Sequence, residues 1–307
     1  MIRVARLIAI AVVALATVPP ARAQEAANDT VAYRVKQGDS LELIAAEFYG
    51  DRTKSAFIAA ANKLARPRPL KPGERLRVPV VREVATSPGD TFESLAATYL
   101  GSARRGTFLA DFNSIPVEDN LPAGTVLVVP LTVVHTAAST ESMGEISRQY
   151  FGDARSAELL RRYNFLDKPT IDKAETVIVP ALHTRLAATR QPPMEAEAKT
   201  RRDRRRDASA RVARALPAAH EAWKTGDFAQ VKAALAPLEP ELDYLDLGDA
   251  VDVGVLVGVA YLAYDEGEPA LAAFKRVLDR QPHHTLARYA YSPKIIALWQ
   301  KAGGQVE

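Results

Sequence analysis

The chain has 307 residues, of which 48% are hydrophobic and 25% charged, so it is long and apolar enough to form two or more globular domains. It contains no cysteine, which excludes disulfide bonds and thiol catalysis. The net charge of +3 comes from 40 basic and 37 acidic residues, and three of the arginines lie within the first 23 residues. The remaining residues hold 37 of each sign, so overall charge does not indicate nucleic acid as a partner.

Residues 1–23 have the pattern of a secretory signal peptide. Arg3 and Arg6 precede the apolar run Leu7–Val18, and Ala21-Arg22-Ala23 is a cleavage site of the small-x-small type. The run is short for a membrane span, and an uncleaved anchor is the alternative interpretation. Since no later apolar run is long enough to span a bilayer, we expect an exported protein of the periplasm or cell envelope, with no transmembrane span after signal cleavage.

Three stretches of the chain repeat at intervals of 50 or 51 residues: 31–80, 83–131 and 133–181, called units 1, 2 and 3 below. Equivalent positions carry the same residue types, as in the sets Gly50, Gly101, Gly152; Asn62, Asn113, Asn164; and Val78-Pro79, Val129-Pro130, Val179-Pro180. Fixed spacing of this kind indicates an internal structural repeat.

The residue pattern of unit 1 predicts a strand, two helices and a closing strand. Tyr33-Arg34-Val35 alternates as a short strand does, and Ser40 is placed to cap a helix that ends at Gly50. A second helix is predicted over Ser55–Asn62, and the alternating stretch Arg75–Val78 forms the last strand. The two strands should pair antiparallel to bury their apolar face.

This order of elements, with its Gly-Asp-Ser-Leu turn, helical Asn and closing Leu-x-Val-Pro, resembles the LysM domain. Unit 2 keeps the pattern with Gly89-Asp90-Thr91-Phe92 and Leu121-Pro122-Ala123-Gly124. Unit 3 departs from it, because Thr140-Glu141-Ser142-Met143 stands at the first turn and Ala174 replaces a glycine. The resemblance implies two good LysM-like modules and a third, degenerate one.

LysM domains bind glycans that contain N-acetylglucosamine, above all peptidoglycan and chitin, in a shallow groove between two loops. The resemblance therefore implies glycan contacts from the first loop and from the loop after the second helix. The candidate residues are Gly38, Asp39, Ser40, Leu41, Leu64 and Leu70 in unit 1, and Gly89, Asp90, Thr91, Phe92, Ile115 and Leu121 in unit 2. Turn and capping roles are an alternative explanation for several of them, since these residue types bond locally to backbone.

A basic segment follows the repeats. Residues 185–214 hold ten basic and four acidic residues, and Met194–Arg214 lacks glycine and proline, so a basic linker helix is predicted within 185–207. Three interpretations are open: a solvated linker, attraction to anionic cell-wall polymers or lipid headgroups, and nucleic acid, against which export argues.

Residues 208–304 have a helical pattern. In the window Val251–His284, the positions of Gly258, Tyr261, Ala270, Phe274 and Pro282 resemble a tetratricopeptide repeat, with Gly267-Glu268-Pro269 as the turn. Leu216–Leu238 resembles a degenerate partner repeat, and Pro293–Ala302 a capping helix that covers the last apolar face with Trp299. Such repeats usually bind peptides or proteins; a compact helical domain without a partner is the alternative.

The sequence shows no signature of catalysis. There is no nucleophile elbow or phosphate loop, and His283 and His284 lack a ligand-spaced third residue for a metal. We therefore expect an α+β protein, three small βααβ LysM-like modules followed by an all-α TPR-like domain, without enzyme activity, cofactor or metal. It would bind peptidoglycan or a related N-acetylglucosamine glycan and display a helical protein-interaction domain. The alternative is an accessory or activator subunit of a cell-wall hydrolase or envelope secretion machine.

Overall fold

The computed structural model describes residues 30–64, 68–117, 121–182, 184, 186 and 188–307. The predicted signal peptide lies outside these residues. Within them, three small α/β units are followed by a mostly helical C-terminal part.

Each unit has the predicted order of strand, helix, helix and strand. Unit 1 comprises β1 (Thr30–Arg34), α1 (Leu41–Tyr49), α2 (Ser55–Ala61) and β2 (Arg75–Pro79). Unit 2 comprises β3 (Arg82–Ala85), α3 (Phe92–Leu100), α4 (Gly106–Asn113) and β4 (Val126–Val129). Unit 3 comprises β5 (Thr132–Thr136), β6 (Glu141–Ser142), α5 (Met143–Phe151), α6 (Ala157–Tyr163), β7 (Thr170–Ile171) and β8 (Thr176–Pro180).

The first and last strands of each unit pair antiparallel, as predicted. The register places Tyr33 opposite Leu76, Val84 opposite Leu127, and His135 opposite Val177. These residues are buried, so each two-stranded sheet presents an apolar face to its helices. A two-stranded sheet is marginal in isolation, and helix packing therefore supplies its stability.

The turns at both ends of the first helix follow from local chemistry. Ser40, Thr91 and Ser142 cap α1, α3 and α5, since each side-chain oxygen accepts a hydrogen bond from a backbone N–H of the first turn. The helices end at Gly50, Gly101 and Gly152, whose φ angles of 69°, 75° and 86° lie in the left-handed region. Glycine adopts this region without a steric penalty, which explains the repeated glycine.

The repeated asparagine ties the second helix of each unit to its last strand. In unit 2, Nδ2 of Asn113 donates to the carbonyls of Leu109 (2.9 Å) and Val128 (3.0 Å). Its Oδ1 accepts from Val128 N at 2.7 Å. Asn62 makes the corresponding bonds to Ile58 and Arg77, and Asn164 to Leu160 and Ile178. We call this arrangement the asparagine clip.

Units 1 and 3 share one hydrophobic core. The ring of Phe57 in α2 lies 5.2 Å from that of Tyr150 in α5, centroid to centroid, in an edge-to-face contact. Unit 2 has its own core, and Phe108 in α4 meets Tyr163 in α6 at 4.7 Å. The three units therefore form a contiguous body rather than a flexible string.

The C-terminal part begins with one long helix. Its elements are α7 (Ala196–Thr225), α8 (Phe228–Leu235), a 3-10 segment (Ala236–Tyr244), α9 (Leu247–Ala263), α10 (Gly267–Arg280), β9 (Thr285–Leu286), α11 (Pro293–Lys301) and β10 (Gln305–Val306). The predicted division between a linker helix, 185–207, and a helical domain that begins at 208 falls within this helix. The helix continues across residue 208 because Ala208, Val212 and Leu216, spaced four residues apart, form one buried apolar face.

Helices α9 and α10 cross where glycines of α9 lie against large side chains of α10. A Cβ at Gly258 would lie 2.3 Å from Cε1 of Phe274, and one at Gly254 would lie 2.3 Å from Cγ2 of Val277. The predicted turn residues Gly267-Glu268-Pro269 instead form the first turn of α10, where proline is tolerated. Trp299 of α11 is fully buried, and its ring centroid lies 5.4 Å from that of Phe274. This is the position expected of a residue that covers the last apolar face.

We expect Asn113→Ala to destabilise the protein by about 2–3 kcal/mol, because it leaves the N–H and C=O of Val128 without their partner. Asp111→Ala is the matched control, since Asp111 is exposed on the same helix. Urea unfolding followed by circular dichroism measures both variants. Equal stability of the two variants would show that the clip contributes nothing.

Gly258→Ala should destabilise the helical part by about 1–3 kcal/mol, because the added methyl group overlaps the ring of Phe274. Gly248→Ala in the same helix meets no atom within 4 Å, and we expect a gain of about 0.5–1 kcal/mol there. Thermal unfolding of the two variants tests the contrast. A neutral Gly258→Ala would mean that the helices can separate at no cost.

Candidate carbohydrate-binding groove

The first loop of unit 1 joins β1 to α1 and is held by its own polar side chains. Oδ2 of Asp39 accepts hydrogen bonds from Lys36 N (2.7 Å) and from the hydroxyl of Tyr33 (2.8 Å). Ser40 caps α1, and Leu41 is buried. Three of the four predicted contact residues in this loop therefore have structural roles, and the exposed Gly38, with φ of +87°, presents mainly backbone.

The second loop of unit 1 borders an open depression of about 780 Å³. Its lining residues are Arg68, Pro69, Leu70, Lys71 and Glu74. Leu70 and Leu64, both predicted contact residues, are half-buried and pack against the core from the loop side. The lining combines the apolar Pro69 and Leu70 with the charged Arg68, Lys71 and Glu74, and apolar contacts with a few polar groups suit a sugar ring.

An ion pair fixes the shape of this depression. The Arg68 guanidinium donates two hydrogen bonds to the Glu74 carboxylate, one to each oxygen. Oε2 of Glu74 also accepts from Lys71 N at 3.2 Å. The bond from Arg68, with that from Lys71 N, lowers the pKa of Glu74 to about 2. Sequence reasoning missed Arg68, Lys71 and Glu74; the proline-interrupted stretch Pro67–Glu74 was the available signal.

The first loop of unit 2 resembles that of unit 1. Asp90 accepts a hydrogen bond from Ser87 N at 2.7 Å, Thr91 forms a capping box with Ser94, and Gly89 is exposed. The side chain of Phe92 is only 2% exposed and lies in the core of the unit. Phe92 can therefore offer a glycan its backbone but not its ring.

The second loop of unit 2 is covered by the C-terminal part. Leu121, Pro122, Ala123 and Gly124 are all buried, whereas the equivalent Lys71, Pro72 and Gly73 of unit 1 are exposed. Ala123 N donates to Asp243 O at 2.7 Å. A Cβ at Gly124 would lie 2.4 Å from the carbonyl oxygen of Arg201 in α7. Ile115 is half-buried in the unit's own core.

The two loops of unit 3 are bonded to each other. Strands β6 and β7 pair antiparallel, with Glu141 opposite Ile171 and Ser142 opposite Thr170. Met143 N donates to Pro169 O at 2.8 Å. Glu141 replaces the turn aspartate of the other units: Oε1 accepts from Ala138 N, and Oε2 lies 2.8 Å from Nε2 of His135. The space that is open in unit 1 is thus closed by main-chain hydrogen bonds.

The arginines of α7 join the C-terminal part together and attach it to unit 2. Arg201 donates to Ala85 O, and Arg205 donates to Tyr244 O (2.9 Å) and Asp246 (2.7 Å). Arg204 pairs with Glu241 at 2.7 Å. None of the three interpretations of the basic stretch included this role, because it depends on partners distant in sequence.

No group of three or more His, Asp or Glu side chains in the described part of the chain is placed to hold a metal ion. His283 and His284 lie in the loop after α10, and His220 is 3.8 Å from Asp252. No helix among the described residues is long and apolar enough to cross a membrane.

The depressed pKa of Glu74 predicts how the second loop of unit 1 responds to acid. A group whose folded pKa is lowered stabilises the fold above its unfolded pKa and loses this effect as the pH falls through the folded value. We therefore expect the Arg68–Glu74 pair to hold the loop at pH 4.5 and to release it as the pH falls toward 2. An NMR titration of the Glu74 carboxyl carbon should give a midpoint near 2. In Arg68→Gln the midpoint should rise, and an unchanged midpoint would contradict the assignment.

Residues 33–79 and 87–130 match the model of the LysM domain family. A protein of Mycobacterium tuberculosis that is named an esterase, found in two strains, is 27% identical over 148 residues. The match covers 48% of this chain and 32% of the relative, so the chain spans only about a third of that protein. An uncharacterized protein of Deinococcus radiodurans is 46% identical over 55 residues, which are 18% of this chain and 21% of the relative.

The family model matches units 1 and 2, the two whose first loop keeps the Gly-Asp-Ser/Thr turn. LysM domains imply binding of peptidoglycan or a related N-acetylglucosamine glycan, and they are typical of exported or cell-envelope proteins. Two stretches of the chain, residues 33–79 and 87–130, therefore match the LysM domain, and a mostly helical C-terminal part follows them.

Proposed function

We propose that this protein is a non-catalytic component of the cell envelope that holds peptidoglycan through the groove of unit 1. The open depression beside Leu70 is the observation that carries the proposal, because the equivalent loop is covered in unit 2 and closed in unit 3. Unit 3 has the same element order as the two LysM domains, and we interpret it as a degenerate third copy.

The chemistry of the groove suits an N-acetylglucosamine ring. The first loop has its side chains engaged in turn and capping bonds, so its shape is set before the ligand arrives. Peptide N–H and C=O groups can pair with the C=O and N–H of an acetamido group, and the half-buried Leu64 and Leu70 can take its methyl.

The comparison of the three grooves favours one glycan site per chain. Tandem LysM-like units suggest avidity, in which later contacts become intramolecular. Here the units pack into one body, and two of the three grooves are engaged by protein. Units 2 and 3 then serve as a platform that orients unit 1 and the helical part.

The helical part would display a surface for a protein partner. A depression of about 480 Å³ between α8 and the end of α9 is lined by Ala229, Lys232, Ala233, Ala236, Pro237 and Tyr264. Tyr264 lines this depression and is 51% exposed, so its ring is accessible to a partner. The helix crossing at Gly258 and Phe274 supports the tetratricopeptide-like interpretation of this region.

An accessory role beside an enzyme is the second candidate function. It is favoured by the match to a segment of a relative that is about three times as long as the matched region and is named an esterase. A segment shared in this way is consistent with a binding module that brings a hydrolase to its substrate. In this chain the helical part would recruit such an enzyme instead of carrying one.

We expect the full chain to sediment with purified peptidoglycan sacculi and to be released by soluble N-acetylglucosamine oligomers. Leu70→Ala should weaken this binding about fivefold to tenfold, because it removes the apolar side of the depression. Val134→Ala is the matched control, because it also truncates an apolar side chain, one that is exposed on β5 and lies outside the groove.

The same preparation tests the alternatives. Full chain that remains in the supernatant would overturn the glycan-binding proposal. Equal binding of Leu70→Ala and Val134→Ala would move the site away from unit 1. Clearing of the sacculi by the protein in a zymogram would show that it is an enzyme.

A further inference from the structure

The three units differ in net charge although they share one fold. Unit 1 holds ten basic and five acidic residues, unit 2 holds two and six, and unit 3 holds six and seven. Their net charges are therefore +5, −4 and −1. The unit with the open groove is the only one of the three with a positive net charge, although the chain after residue 23 is neutral.

The carboxylates beside the groove of unit 1 are already engaged. Asp39 accepts hydrogen bonds from Lys36 N and from the Tyr33 hydroxyl. Glu74 is held by Arg68 and by Lys71 N. The charge of Glu74 is compensated by Arg68, whereas Asp39 is held by uncharged donors and keeps its negative charge.

Cationic side chains remain exposed on both sides of the groove. Lys36 on the first loop lies 5.7 Å from the ring of Tyr33, and Lys71 lines the depression itself. The Nη2 atom of Arg34 is 4.0 Å from the position of a Cβ on Gly73, at the end of the second loop. Among the described residues, no carboxylate lies within ion-pair distance of Arg34, Lys36 or Lys71, although the charge of Lys71 contributes to the lowered pKa of Glu74. These three residues are called the cationic rim below.

We infer that the groove of unit 1 is selective for an acidic glycan strand, in which carboxylate substituents lie on the cationic rim while the sugar ring occupies the depression. Peptidoglycan carries carboxylates on its peptides, and on its alternate sugars where the peptide is absent, whereas chitin is neutral. This inference rests on the proposed function and specifies its ligand. A strand that carries carboxylates would complement Arg34, Lys36 and Lys71 without disturbing the Arg68–Glu74 pair.

The rim also predicts how binding responds to salt. Contacts between exposed charges weaken as ionic strength rises, because the screening length falls from about 10 Å at 0.1 M to about 3 Å at 1 M salt. Contacts of the acetamido group with peptide groups and of its methyl with leucine do not depend on charge. Affinity for acidic strands should therefore fall with salt toward the affinity for neutral strands.

Three matrices test the inference with the full chain: sacculi stripped of other anionic polymers, the same sacculi after amidation of their carboxylates, and chitin. At low salt we expect binding to untreated sacculi to be about 3–10-fold tighter than binding to the other two, as a few exposed ion pairs would provide. The preference should disappear near 1 M salt.

Lys71→Glu should remove most of the preference. Lys173→Glu is the matched control, because Lys173 is exposed on the corresponding loop of unit 3 and its replacement changes the net charge of the protein equally. Circular dichroism establishes that both variants are folded. Loss of the preference for untreated sacculi in Lys71→Glu, but not in Lys173→Glu, supports the role of the cationic rim in binding carboxylates.

The outcomes separate the two proposals. Equal binding to all three matrices, or equal losses in Lys71→Glu and Lys173→Glu, would overturn the selectivity for acidic strands and leave glycan binding intact. Absence of binding to any matrix would overturn the proposed function itself.

Discussion

The fold of each small unit depends on the asparagine clip. A unit of about 50 residues has only a thin core, and its two strands are far apart in sequence. The amide of Asn62, Asn113 or Asn164 donates to a carbonyl of its own helix and bonds both backbone groups of one residue in the last strand. The loop that joins the second helix to the last strand can then differ in sequence and conformation from unit to unit, because the position of the strand does not depend on it.

That freedom of the second loop explains why three similar units have three different grooves. In unit 1 the loop is held by Arg68 and Glu74 and faces solvent. In unit 2 its last residues, Leu121–Gly124, are buried against α7 and the 3-10 segment that follows α8. In unit 3 it pairs with the first loop through β6 and β7. The same frame thus supports one open site and two internal contacts.

Helix α7 connects the two halves of the molecule. Its buried residues Val212 and Leu216 belong to the helical core, while Arg201 reaches the carbonyl of Ala85 in unit 2. Each guanidinium that bonds a carbonyl at an element end satisfies an acceptor that would otherwise be unpaired. A run of arginines that resembles a surface for polyanions is here in large part engaged in hydrogen bonds within the protein.

The sequence by itself determined the period of the repeat, the caps at Ser40 and Gly50, and the antiparallel pairing. These features depend on neighbours in sequence or on a fixed spacing, so residue type suffices to predict them. Side-chain roles in the candidate site were less accessible: Leu41, Phe92 and Leu121 are buried, and Asp39 and Asp90 hold turns. Which groove remains open was decided only by tertiary structure, because it depends on contacts such as Ala123 with Asp243, which lie 120 residues apart. No pattern of neighbouring residues in the sequence predicts such a contact.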